Sequence, residues 1–182
     1  MKMKKLLLSA FLCMTVLIAG CGSKTDSNGS ADAATSGTAG IGLTYNGVSL
    51  HIGGTFADIK SGLGEEIRPS EEIVPCDGIG GNTIEHYYDG VIIGEDMSGM
   101  IKYYMIQADE DSTSDAVKEA STDKGLKIGD TADKAKELYG EAFNETDYVV
   151  AFLDDTTVMT CGLRDDKTIL YLYFNGNSEA GE

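Results

Sequence analysis

Apolar, β-branched and aromatic residues gather in six short runs along the second two-thirds of the chain. They are Thr83 to Tyr88, Val91 to Ile93, Met100 to Ala108, Tyr148 to Leu153, Thr156 to Leu163 and Thr168 to Phe174. Side chains alternate across a strand with a period of two, so runs of this length and composition predict β-strands. Turn residues separate them. Asp89-Gly90 between two apolar runs predicts a type I′ hairpin. Asp154-Asp155 and Arg164-Asp165-Asp166-Lys167 mark two further turns. The runs therefore form two three-stranded meanders.

A different period precedes each meander. Residues 52–65 read IGGTFADIKSGLGE and residues 128–141 read IGDTADKAKELYGE, identical at six of 14 positions. Phe56, Ile59 and Leu63 fall on one face of a helix, as do Ala132, Ala135, Leu138 and Tyr139. Thr55 and Thr131 stand where an N-cap hydroxyl would accept from the first helical turn. Gly64 and Gly140 stand where a helix stops. A polar stretch between the copies, Ser112 to Lys124, leaves room for a short helix around Asp115 to Ala120. The expected fold class is α+β: two tandem helix-plus-three-stranded antiparallel meander units, residues 41–111 and 112–177, packed as one domain. Residues 178–182 form a short polar tail.

The amino terminus follows neither period. Met1-Lys2-Met3-Lys4-Lys5 is positively charged, and Leu6 to Ala19 is a 14-residue run without a charge. A membrane-spanning helix needs about 20 apolar residues, so this length fits the core of a secretion signal instead. Ile18-Ala19-Gly20-Cys21 follows. An aliphatic residue and two small residues before a cysteine resemble the lipobox of bacterial lipoproteins. The resemblance implies cleavage of residues 1–20 and a diacylglyceryl group on the Cys21 sulfur. Cys13 lies within the leader. Residues 22–40 hold Gly, Ser, Thr, Ala, Asp and similar residues without a single aromatic, and too little apolar surface to offset ordering entropy. They read as a disordered linker spanning roughly 25 Å as a flexible coil.

Charge narrows the partners. The chain carries 14 basic and 30 acidic residues. Removing the three leader lysines leaves 11 basic residues and a net charge of −19. Nucleic acid needs a basic footprint and is excluded as a partner. Anionic lipid headgroups would repel such a domain, which leaves the membrane contact to the lipid on Cys21. A solvated acidic surface accounts for the charge more simply than a cation site does.

Two cysteines remain in the globular part, Cys76 and Cys161. An extracytoplasmic setting permits a disulfide between them, and spacing alone does not decide it. Neither lies in a CxxC. Residues 109–120 begin like a calcium loop, but Ser114 and Ala120 occupy the positions that need Gly and Glu. His51 and His86 have no neighbouring ligand at metal spacing and read as half-buried strand residues, so no metal or other cofactor is expected. No GxSxG or SxxK nucleophile motif occurs, and a Cys76–His86 dyad has no specific support. The tyrosines are the remaining candidates. Tyr87, Tyr103, Tyr171 and Tyr173 lie in strand runs, and Tyr171 and Tyr173 share a face. An exposed row of this kind suits a protein- or glycan-binding surface, and it is also ordinary strand composition.

The tandem pattern resembles the beta-lactamase inhibitor protein fold, and the IGxT-helix-YG unit is similar to small assembly lipoproteins of the BamE/SmpA type. The order YNGVSLHIG, Cys76, EHYYDG and GLKIGDTADKAKELYG resembles uncharacterised lipoproteins of gut clostridia. These resemblances span roughly Tyr45 to Phe174. They imply architecture and carry no inhibitory or catalytic residue, because fold alone does not imply function. The sequence thus leads to a lipid-anchored extracytoplasmic protein that is not an enzyme and that binds a protein or a cell-wall component. An assembly or structural accessory of an envelope complex is the alternative, and an enzyme comes third.

Overall fold

The computed structural model describes residues 40–74, 81–109 and 113–177. The chain begins with strands β1 (Leu43–Tyr45) and β2 (Val48–Leu50), joined by Asn46-Gly47. Both turn residues have positive φ, 50° and 76°, the requirement of a type I′ hairpin. Helix α1 (Phe56–Leu63) follows, then β3 (Arg68–Ile73), β4 (Thr83–Tyr88), β5 (Val91–Asp96) and β6 (Ile101–Gln107). The second half adds α2 (Asp115–Glu119), β7 (Ser121–Thr122) and α3 (Ala132–Tyr139). It ends with β8 (Asn144–Glu145), β9 (Val149–Leu153), β10 (Thr157–Leu163) and β11 (Ile169–Gly176).

These elements do not build two helix-plus-three-stranded-meander units, and the α+β expectation is corrected here. Of the described residues 46% are strand and only 16% helix. One antiparallel sheet of eight strands runs β3-β4-β5-β6-β11-β10-β9-β8, and a small sheet runs β2-β1-β7. Each meander gains a fourth strand, β3 or β8. The last strands of the two meanders, β6 and β11, then pair with each other, Tyr104 opposite Phe174 and Ile106 opposite Leu172. The reason is physical. A meander closed by β6 alone would leave a row of open backbone donors and acceptors along a strand with a strongly apolar inner face. Pairing β6 with β11 satisfies both rows and merges two small cores into one. The β1–β7 pairing crosses the same junction at 111/112.

One face of the large sheet supplies the core. His86 and Tyr88 of β4, Val91 and Ile93 of β5, Tyr104 and Ile106 of β6, Leu172 and Phe174 of β11, Met159 and Cys161 of β10 and Val150 and Phe152 of β9 are all buried. Phe56 and Leu63 of α1, Val117 of α2, Ala132 and Ala135 of α3 and Leu43, Tyr45 and Leu50 of the small sheet pack against them. The helices and the small sheet therefore make a second layer over one side. The outer edges are protected. β3 is exposed throughout, carries Pro69 and three charged residues, and is bulged between Arg68 and Glu71. β8 has only two residues. Charge, proline, bulges and shortness all discourage edge-to-edge association.

The two matched segments start their helices differently. Thr131 Oγ1 accepts from the Lys134 N–H at 3.2 Å, whereas the Thr55 side chain makes no cap bond. Thr131→Ala should therefore lower stability by about 1 kcal/mol and Thr55→Ala by much less. Urea unfolding of the two variants compares them directly, and equal losses would contradict the asymmetry. The Asp89-Gly90 hairpin forms, with Tyr88 opposite Val91. Only Gly90 has positive φ there, so the turn is not type I′. The Gln107 N–H donates to the Gly90 carbonyl at 2.9 Å and ties the turn to β6.

Candidate binding face

Strand register shows which side chains share the side of the sheet opposite the core. Gln107, Met105 and Tyr103 of β6 stand across from Tyr171, Tyr173 and Asn175 of β11. These in turn face Gly162, Thr160 and Val158 of β10. Val149, Ala151 and Leu153 of β9 complete the field. Three positions from each of four strands thus form a surface without one formal charge. On the β4 and β5 side the same face continues through Glu85 and Tyr87, then Gly94 and Ile92. All four tyrosines singled out in the sequence, Tyr87, Tyr103, Tyr171 and Tyr173, lie on this face.

They are not equivalent. Tyr87 is only 3% exposed, because the Arg68 guanidinium lies 3.4 Å from its ring centre. Its hydroxyl donates to Glu85, and that bond, with burial, pushes its pKa up to about 12. Tyr103 donates to the other oxygen of Glu85 at 2.5 Å, and burial followed by this bond holds its pKa well above the usual range. One carboxylate therefore fixes two tyrosine hydroxyls. Burial, with a smaller contribution from Glu85, also raises Tyr173. Tyr103, Tyr171 and Tyr173 remain half-buried, and the Tyr103 and Tyr173 ring centres are 6.1 Å apart.

Two glycines set the posture of the rings. A Cβ at Gly94 would overlap the Tyr103 ring, and one at Gly162 would overlap the Tyr171 ring. Gly94 is the register partner of Tyr103, and Gly162 that of Tyr171. Each ring thus lies across its neighbouring strand over bare backbone. Gly within a strand often marks such a close approach. In the sequence, Gly94 directly follows the run Val91 to Ile93 and Gly162 lies within the run Thr156 to Leu163.

Beside this face a cleft of about 670 Å³ opens at the β4–β5 turn, lined by Arg68, Tyr87, Gly90, Ile92, Met105 and Gln107 among others. Met105 and Gln107 belong to both the cleft and the face.

A second polar cluster lies on the core side. The His86 ring, 5% exposed, stacks on Phe56 with centroids 3.8 Å apart. Nδ1 lies 3.1 Å from Glu66 Oε1, and Nε2 lies 3.0 Å from Glu95 Oε1. Each ring nitrogen thus has a carboxylate oxygen within hydrogen-bond distance. Lys60 approaches Glu66 at 3.7 Å from outside. Tyr88 is buried beside the same carboxylates, and burial followed by Glu66 pushes its pKa up to about 12. The sequence located His86 in a strand and missed both carboxylates, which come from the α1–β3 connection and from β5. Both nitrogens are engaged and the ring is covered, an arrangement suited to holding α1 onto the sheet.

The other sequence candidates separate. Cys161 is a free thiol buried at the centre of β10, and burial raises its pKa to about 12. Cys76 lies outside the described residues, as do Cys21 and its preceding Ile18, Ala19 and Gly20. Among the described residues no group of three or more His, Cys, Asp or Glu side chains could hold a metal ion. No described helix is long and apolar enough to cross a membrane.

Neither protein-family models, nor curated proteins, nor solved structures give a match to this chain. The functional reading therefore rests on the face itself, on the leader-like amino terminus and on charge.

Proposed function

We propose that this chain is an extracytoplasmic lipoprotein whose folded part is a non-enzymatic binding module. A diacyl lipid on Cys21 anchors it, and residues 22–40 let the module stand off the bilayer. Two acyl chains are needed for this role, because one chain gives only marginal, reversible binding. The observation that carries the binding reading is the uncharged, tyrosine-bearing field of β6, β11, β10 and β9, in a chain with 30 acidic and 14 basic residues. Helices and the small sheet cover the opposite side of the sheet and take part in its core. Depletion of charge and enrichment of tyrosine are the composition of an interface centre.

The address is tested with Cys21→Ser in the producing bacterium. The wild-type chain should partition into the detergent phase and be removed from intact cells by added protease. The variant should lose detergent partitioning altogether. A variant that stays with the membrane fraction, or a wild-type chain shielded from protease, would overturn the lipid-anchored reading. The binding half is tested with a photocrosslinker at Thr160, in the middle of the face. It should capture a cell-envelope component in living cells, whereas one at exposed Asp133 of α3 should not.

A further inference from the structure

We propose that the helix-free face binds an uncharged glycan chain, with sugar rings stacked on Tyr103, Tyr171 and Tyr173. This rests on the binding-module reading and names its ligand class. The posture of the rings suits a stacked ligand. Tyr103 and Tyr171 lie across Gly94 and Gly162, which have no side chain to lift them. A ring lying against backbone on one side turns its other π-face outward. The face of an aromatic ring is its negative side, and the C–H bonds that line one side of a pyranose are weakly positive.

Neutral polar groups stand beside each ring. Tyr171 is paired across the strands with Gln107, Tyr173 with Thr160 and Tyr103 with Asn175. Each aromatic thus has a neutral amide or hydroxyl opposite it. These groups both donate and accept, which suits the hydroxyls around a sugar ring. A protein's apolar side chains would leave them without partners.

Charge and area exclude the competing occupants. The four strands present no cation to an anionic polymer, Arg68 beyond them is stacked on Tyr87 beside Glu71, and Glu85 and an excess of 16 negative charges over the whole chain repel one. Strands about 4.8 Å apart with about 6.8 Å between same-face residues give the twelve positions an area of about 400 Å². A standard protein interface takes about 800 Å² from each partner. With the four positions of β4 and β5 the field reaches about 520 Å², still short of what a second copy of the chain would require, and it is adequate for a few sugar rings. The cleft that shares Met105 and Gln107 extends it at one end.

The test uses the full lipidated chain in a detergent without a sugar headgroup, titrated calorimetrically with chitopentaose and cellopentaose. At least one should bind with a dissociation constant tighter than about 1 mM. Tyr103→Ala and Tyr171→Ala should each weaken binding at least about tenfold. Gln107→Ala, at an exposed position, should weaken it several-fold with unfolding unchanged, which guards against misfolded tyrosine variants. Tyr148→Ala, 66% exposed but on the opposite strand alternation, should bind as wild type. No binding of either pentaose by the wild-type chain overturns the proposal, as does wild-type affinity in the tyrosine and Gln107 variants, or tighter binding of the polyanion heparin. If the pentaoses fail while the Thr160 crosslinker still captures a protein, the glycan inference falls and the binding-module reading stands. If both fail, both fall.

Discussion

Tyr104→Ala should destabilise the domain by about 3–5 kcal/mol, the range for removing a fully buried aromatic ring. Tyr104 is completely buried at the seam where β6 meets β11, stacked on Phe174 with ring centres 4.5 Å apart. Its hydroxyl donates to the Leu50 carbonyl at 3.0 Å and reaches the Ile41 carbonyl at 3.4 Å. One side chain therefore ties together the two meanders, the small sheet and the point where the chain enters the domain. Domains of this size have only about 5–15 kcal/mol of net stability, so the loss should be visible in urea. Tyr104→Phe keeps the ring and removes the hydroxyl, and should cost about 1–2 kcal/mol. The ordering of the two variants is the sensitive readout. A Tyr104→Ala loss under 1 kcal/mol would mean that the β6–β11 seam does not hold the halves together.

His86→Leu should cost roughly 2–4 kcal/mol. Removing the hydrogen-bond partner of a buried acceptor costs about 1–3 kcal/mol, and more for a charged one, and His86 faces two such acceptors. Glu66 and Glu95 keep 23% and 14% side-chain exposure, so water relieves part of that penalty. The stacking on Phe56 is replaced by an aliphatic contact of similar extent, which leaves the unpaired carboxylates as the main cost. A triple variant, His86→Leu with Glu66→Gln and Glu95→Gln, should recover much of the loss by removing the stranded charges. If His86→Leu unfolds within about 0.5 kcal/mol of wild type, the cluster does not fasten α1 to the sheet.

The pattern of side chains made the local pieces legible. The runs at 83–88 and 148–153, the turn at Asp89-Gly90 and the two helix entries near Thr55 and Thr131 were visible because each depends on neighbours within a few residues. β3 was not, since Arg68–Ile73 is charged, contains a proline and has no buried face. β1, β7 and β8 were too short to announce themselves, whereas the alternation Val48-Ser49-Leu50 marks β2. The tyrosine face was half legible. Period-two alternation predicts that Tyr171 and Tyr173 point the same way, and cross-strand register is needed to add Tyr103 beside Tyr173. The different fate of Tyr87 depends on Arg68, 19 residues earlier, folding back over it.

Sequence alone therefore determined the places of turns and helix starts and the acidic composition, and it carries a leader cut before Cys21 as an expectation. Tertiary structure decided that the meanders join through β6 and β11, that Glu66 and Glu95 meet on His86, and that bare glycines lie beneath two tyrosine rings. The division has one physical cause. Alternation and turn chemistry are energies of residues close in the chain, and they state which way a side chain points. Which strand lies alongside is set by long-range pairing that closes open backbone edges and completes one core, and no short window of residues records it.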